Sequence, residues 1–129
     1  MKLRIFGDSL RFRVSQSEFA HLVSNGFVSS SVQLGPGEND RLVYALKRVA
    51  DKLNVSVDAS PGHITVLIPA QQLERWQRPD AVGLRATQDV GGRKTLSILV
   101  EKDFACIDGA SEEENRDTFP NPRAQTTRC

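Results

Sequence analysis

Lys2-Leu-Arg-Ile-Phe-Gly-Asp-Ser-Leu-Arg-Phe-Arg-Val14 is the stretch on which the fold turns. Its two short runs alternate charged and apolar residues about Gly7-Asp8, the pattern of a β-hairpin closed by a two-residue turn. A turn there sets Ile5 opposite Leu10, Leu3 opposite Phe12, Arg4 opposite Arg11 and Lys2 opposite Arg13. Side chains of a strand alternate between faces, so one face of the ribbon is apolar and the other carries Lys2, Arg4, Arg11 and Arg13. These cations form two like-charge cross-strand pairs, a mildly destabilising arrangement unless negative charge lies against it. The pattern marks Lys2, Arg4, Arg11 and Arg13 as an anion- or tail-binding face.

The far end of the chain has the opposite character. Glu101, Asp103, Asp108, Glu112, Glu113, Glu114 and Asp117 face only Lys102 and Arg116 over the same span. Glu112-Glu113-Glu114 is therefore the expected counterpart of the hairpin, through charge-assisted contacts from arginine to carboxylate. Surface pairs of this kind contribute only about 0–1 kcal/mol each, so the docking needs Phe119 as an apolar anchor. Phe119-Pro120-Asn121-Pro122 reads as a stiff, extended element suited to lying across a surface. Residues 1–108 are expected to form one globular domain. Residues 109–129 read as an acidic, proline-containing tail, partly docked, with its last residues disordered.

At 129 residues with net charge +1, the chain is large enough for a real core and is no polycation seeking nucleic acid or membrane. Nucleic acid is further disfavoured because the aromatics do not interleave with the cations as stacking platforms would require. Cys106 and Cys129 make no disulfide framework. No run approaches a membrane span, and the charged start is no signal-peptide core, so a cytoplasmic setting is expected.

Ser15-Gln16-Ser17-Glu18 is a capping box, opening a helix that carries Phe19, Leu22 and Val23 and stops at Gly26. Phe27–Leu34 reads as a strand. Residues 42–50 are ambiguous: Leu42, Ala45, Leu46, Val49, Ala50 and Leu53 have helical spacing, yet Leu42–Leu46 also suits a buried strand. Leu53–Ala59 and His63–Ile68 flank a turn at Ser60-Pro61-Gly62. Pro69 opens a second short helix with Leu73 and Trp76. Ala81–Thr87 and Lys94–Glu101 are strands joined through Gly91-Gly92. Laying Leu10-Arg-Phe-Arg-Val14 over Ile64-Thr-Val-Leu-Ile68 puts Phe19 on Leu73 and Leu22 on Trp76. That match suggests two ββαββ repeats and favours strand for residues 42–48.

The start of the chain, Lys2-Leu-Arg-Ile-x-Gly-x-Ser-Leu-Arg-x-Arg-Val14 followed by Ser15-x-Ser-Glu18, resembles a family of small bacterial proteins with a domain of unknown function. The end, Leu99-Val-Glu-Lys-Asp-Phe-x-Cys-Ile107 with Phe119-Pro-Asn-Pro122, resembles the same family. Tyr44-Ala-Leu46 and Ile64-Thr-Val66 before Pro69 fit as well. The resemblance spans most of residues 1–122 and implies a domain that stands alone in a short protein. It brings no activity, ligand or catalytic residue.

No motif supplies chemistry. Asp103, Cys106, Asp108, His21 and His63 lack metal-ligand spacing. Gly91-Gly-Arg-Lys-Thr95 precedes a strand where a phosphate loop needs a helix, and reads as a hairpin turn. Glu18, Asp58, Asp89 and Glu101 are the carboxylates available for acid–base work, and none is singled out. No catalytic residue, metal or cofactor is assigned. The predicted fold is α+β: a mainly antiparallel, curved or barrel-like sheet of about eight strands with two short helices. The expected function is a non-enzymatic binding or interaction protein with a basic hairpin face, its partner a protein or an anionic small molecule. The alternative is an enzyme or binding protein acting on a phosphate-containing small molecule, held by the same cations.

Overall fold

A computed structural model describes residues 1–104 and 117–120. The opening hairpin forms in the expected register: β1 (Lys2–Phe6) runs antiparallel to β2 (Ser9–Val14), with Arg4 against Arg11 and Lys2 against Arg13. Gly7 starts the turn at φ 55°, a conformation that glycine adopts without a Cβ penalty. Helix α1 (Gln16–Asn25) begins as the capping box requires. The Ser15 hydroxyl accepts from the Glu18 N–H, the Glu18 carboxylate accepts from the Ser15 N–H, and Gly26 ends the helix at φ 76°.

Strands β3 (Phe27–Gln33) and β4 (Arg41–Val49) follow, then β5 (Ser56–Ser60) and β6 (His63–Pro69). The ambiguous residues are strand: β4 lies between β3 and β6, with Ala45 and Leu46 buried. Leu53, the last member of the apparent helical stripe, is 87% exposed on the loop after β4. Pairing on both sides decided the conformation there against local periodicity. Helix α2 (Ala70–Trp76) starts directly after Pro69, and β7 (Gly83–Gly91) and β8 (Lys94–Lys102) complete the described elements.

The barrel-like expectation is corrected: the strands form two open four-stranded sheets, in the orders β1-β2-β8-β7 and β3-β4-β6-β5. The hairpins within them are antiparallel, while the central pairs β2·β8 and β4·β6 are parallel. The edge strands of the two sheets are not joined by a ladder among the described residues. At the corner where β7 meets β5, one side chain stands in place of a ladder. The Gln88 amide receives the Val57 N–H at 2.6 Å and donates to the Val57 carbonyl at 3.1 Å. One residue thereby satisfies the edge of β5 without adding a strand.

Read from β1 and from β5 respectively, both sheets have the sequence antiparallel, parallel, antiparallel. Phe6·Ser9 closes one hairpin and Ser60·His63 the other; Ser9 then pairs with Ser97, and His63 with Val43. Positions in one sheet therefore have counterparts in the other. The inner faces share one core, in which Leu10, Phe12, Val14, Ile98 and Val100 meet Leu46, Val66 and Ile68. Leu22 of α1 and Leu73 and Trp76 of α2 fill it further. Phe19 meets Trp76 edge-on at 4.8 Å between centroids, and Trp76 Nε1 donates to the Val82 carbonyl at 3.1 Å. Burying side chains of this size is worth about 1.5–3 kcal/mol each, which makes this shared layer the main support of both sheets.

Candidate functional site: the outer face of the first sheet

Because Leu3, Leu10 and Phe12 turn inward, Lys2, Arg4, Arg11 and Arg13 turn outward together. The parallel contact with β8 then adds residues that the hairpin alone does not show. Across the sheet run the rows Arg4–Arg11–Leu99–Arg85 and Lys2–Arg13–Glu101–Gly83. Beside them lies Phe6–Ser9–Ser97–Thr87.

Three of the four expected cations are answered by β8 and its continuation. Arg11 Nε and Arg13 Nε donate to the same Glu101 Oε1, at 2.6 and 2.8 Å. Lys2 Nζ lies 2.9 Å from Asp103 Oδ2. Glu101 is largely covered, its side chain 12% exposed, so these bonds work in a lower effective dielectric than open surface pairs. One carboxylate cannot neutralise two guanidiniums, and the side chains of Arg4 and Arg85 have no ion pair or hydrogen bond among the described residues. Among the described residues the face keeps a positive excess. Glu112, Glu113 and Glu114, the expected tail counterpart, lie outside the described residues, as do Asp108, Cys106 and Cys129.

Arg85 escaped the sequence reading. Its signal is strand alternation in β7, and only the pairing of β7 with β8 brings it to Arg11. Glu101, one of the carboxylates that the sequence offers for acid–base work, is the clamp for two arginines. A shallow open groove of about 500 Å³ lies here, with Arg11, Arg85, Ser9, Ser97, Thr87 and Leu99 among its lining. Guanidiniums beside hydroxyls over an apolar floor offer several donors to an anion.

The end of β8 carries a second constellation. Lys102 points inward and is only 4% exposed. Its Nζ donates to the Arg78 carbonyl at 2.9 Å and lies 5.4 and 5.5 Å from the ring centroids of Phe19 and Phe119. Burial lowers the Lys102 pKa, opposed by the charge of Asp80. Phe119 reaches this place through its N–H, which donates to the Asp103 carbonyl at 2.7 Å, and it packs against Phe104. Asp117 accepts from the Ser17 N–H and hydroxyl at the start of α1. The Ser17 hydroxyl is the main cause that holds its carboxyl below the usual range. At Glu18, burial pushes the pKa up. Hydrogen bonds from the terminal amine and Ser15, with the amine's charge, outweigh that and leave it lowered.

Among the described residues no three His, Cys, Asp or Glu side chains gather as metal ligands, and no helix is long and apolar enough to cross a membrane. No curated protein and no solved structure matches the chain. A family model does match, over residues 1–123, and the chain belongs to that family, the family of unknown function DUF7009.

Proposed function

We propose that this protein is a non-enzymatic binding domain whose outer sheet face, Lys2, Arg4, Arg11 and Arg13 joined by Arg85, holds an anionic partner. One observation carries the reading. The row Arg4–Arg11–Leu99–Arg85 has a counterpart in the second sheet, and there the residues are Asp58, Thr65, Ala45 and Ser29. The same backbone scheme is thus built without clustered cations. Adjacent like charges cost stability, so their place in one sheet alone points to use rather than to folding. The correspondence also supports reading the chain as two ββαββ repeats.

Glu101 suits the role of positioning residue. By taking Nε of both Arg11 and Arg13 it leaves their terminal nitrogens for a ligand, and pre-orientation lowers the entropy lost on binding. The chain's own Glu112-Glu113-Glu114 is the competing occupant, supported by its charge and by the anchoring of Phe119 beside Asp103. The site belongs to a reducing, cytoplasmic setting in this reading.

Titration with an acidic peptide and with glycerol phosphate, at low and high salt, tests the proposal. Binding is expected to weaken with salt and to fall on Arg4→Ala with Arg11→Ala, while the melting temperature changes little. Turnover of a phosphate ester would instead establish the enzymatic alternative. If the double variant changes only stability, the cations serve the chain's own acidic segment.

A further inference from the structure

The two outer hairpins treat their free edges differently. At β5 the Gln88 amide covers the Val57 N–H and carbonyl. At β1, the matching edge, the only strand pairing among the described residues is with β2. In a two-residue hairpin the closing pair, here Phe6·Ser9, exchanges both hydrogen bonds, and every second pair follows it. Leu3 and Ile5 therefore turn their N–H and carbonyl groups away from β2. The same edge exposes Ile5 at 59% and Phe6 at 73%. Main-chain groups that find no partner among the described residues, beside exposed apolar side chains, form a template for another strand.

We propose that the free edge of β1 takes an extended acidic peptide as a fifth strand of the first sheet. Main-chain bonds to Leu3 and Ile5 supply affinity; alternate side chains supply choice. On the inner side the peptide's apolar residues extend the surface of Leu3 and Ile5. On the outer side its carboxylates lie beside Arg4, which has no partner among the described residues, and beside Lys2. The inference rests on the reading of the cationic face and adds the geometry and class of the partner.

A second copy of the chain is the rival occupant, and charge argues against it. The antiparallel pairing of two β1 strands that uses both Leu3 and Ile5 of each sets Arg4 directly against Arg4 across the junction. Directly opposed like charges disfavour that sheet. An acidic strand meets the same positions with attraction, so the edge charges reject one partner class and select another.

The test uses the full chain and two capped pentapeptides, Glu-Val-Glu-Ile-Glu and Lys-Val-Lys-Ile-Lys, followed by fluorescence anisotropy and amide exchange. The acidic peptide is expected to bind and to slow exchange at Leu3 and Ile5, and the basic peptide to give no signal. Arg4→Glu should weaken binding by about tenfold or more. Ile5→Pro removes an N–H that makes no bond to β2, so the hairpin is retained and binding is lost. Should that variant fail to fold, N-methylation of alternate peptide amides applies the same test from the other side. Binding that survives both changes overturns the strand geometry and leaves the cationic-face reading standing. Binding seen only after Glu112, Glu113 and Glu114 are changed to Ser overturns it by giving the edge to the chain's own acidic segment. A dimer that protects Leu3 and Ile5 without peptide overturns it in favour of a second copy. If neither the peptide nor glycerol phosphate binds at low salt, both readings fall.

Discussion

Arg48 and Lys102 occupy the same place in the two halves of the molecule and live in different surroundings. The Arg48 N–H donates to the Gly26 carbonyl at 2.9 Å, and the Lys102 N–H to the Val82 carbonyl at 3.0 Å. Each side chain then reaches a carbonyl at or beyond the end of a helix. Arg48 Nη1 meets Val23 at 2.9 Å, and Lys102 Nζ meets Arg78 at 2.9 Å. A cation there satisfies a carbonyl that the helix leaves unpaired, so the fold asks for it twice. Arg48 is exposed, whereas Lys102 is sealed between Phe19 and Phe119. What the first half leaves in solvent, the segment carrying Phe119 covers in the second.

The largest expected effect separates these two cations. Lys102→Ala removes a buried hydrogen bond, the packing of the long stem and two ring contacts, and should cost about 2–3 kcal/mol. Arg48→Ala should cost about 0.5–1 kcal/mol, because water replaces most of what is lost. Chemical denaturation of both variants decides, and equal losses would break the comparison. Lys102 also predicts a pH effect. Its folded pKa lies below the ordinary lysine value of 10.5, so between the two values the unfolded chain holds more protons. Its contribution to stability therefore rises with pH in that alkaline window and falls as pH drops through the folded value. Lys102→Met should flatten that rise relative to wild type.

The edge strands β7 and β3 give the next contrast. Gln88, on β7, makes two bonds to Val57. Gln88→Ala strands a backbone donor and acceptor and should cost about 1–3 kcal/mol. Val32, on the edge strand β3 and 41% exposed, has no polar side chain to make such a bond, and Val32→Ala should cost no more than about 0.5–1 kcal/mol. Similar losses at both sites would mean that Gln88 is not what joins the sheets.

A smaller difference is expected between the matched outer positions Glu101 and Lys47. Glu101→Gln leaves Arg11 and Arg13 facing each other without their shared carboxylate. The guanidiniums are about a third exposed, so the loss should be only about 1 kcal/mol. Added salt should restore part of it by screening the arginines. Lys47→Gln in the second sheet should stay within about 0.5 kcal/mol of wild type at any salt. Salt-independent loss at Glu101 would show that packing, not charge, is the issue.

These contrasts also show what could be read from the chain before folding. The hairpin register, the capping box and the stop at Gly26 were legible because each is settled within a few residues. The cationic face was legible in its β1–β2 half for the same reason. Arg85 and the clamp by Glu101 were not, because they depend on the parallel pairing of β2 with β8, which joins residues on opposite sides of the core's sequence. No local signal reports which strand will lie beside which. Nor could alternation reveal that Gln88 would bond to Val57 across the sheet edges, or that the strands would part into two open sheets where one curved sheet was expected. At residues 42–50 the local signal was present and divided, and tertiary pairing resolved it.

The smallest effect concerns the two helix starts. Helix α2 begins at Pro69 with no side-chain cap, while α1 has both Ser15 and, from the chain's far end, Asp117. The Asp117 carboxyl sits below the ordinary aspartate value of 3.8, chiefly because the Ser17 hydroxyl bonds to it, with desolvation acting the other way. A depressed carboxyl pKa gives stability that is complete above the unfolded value and is lost as pH falls through the folded one. Asp117→Asn should therefore lower the melting temperature slightly at neutral pH, and the two proteins should converge in acid. The side chain is fully exposed, so the difference will be small and will shrink with salt. The sharper readout is amide exchange at Ser17, which should quicken in the variant while α2 stays unchanged. A variant that alters both helix starts alike would mean that Asp117 acts on the whole fold, and that the second cap of α1 is one of position rather than of charge.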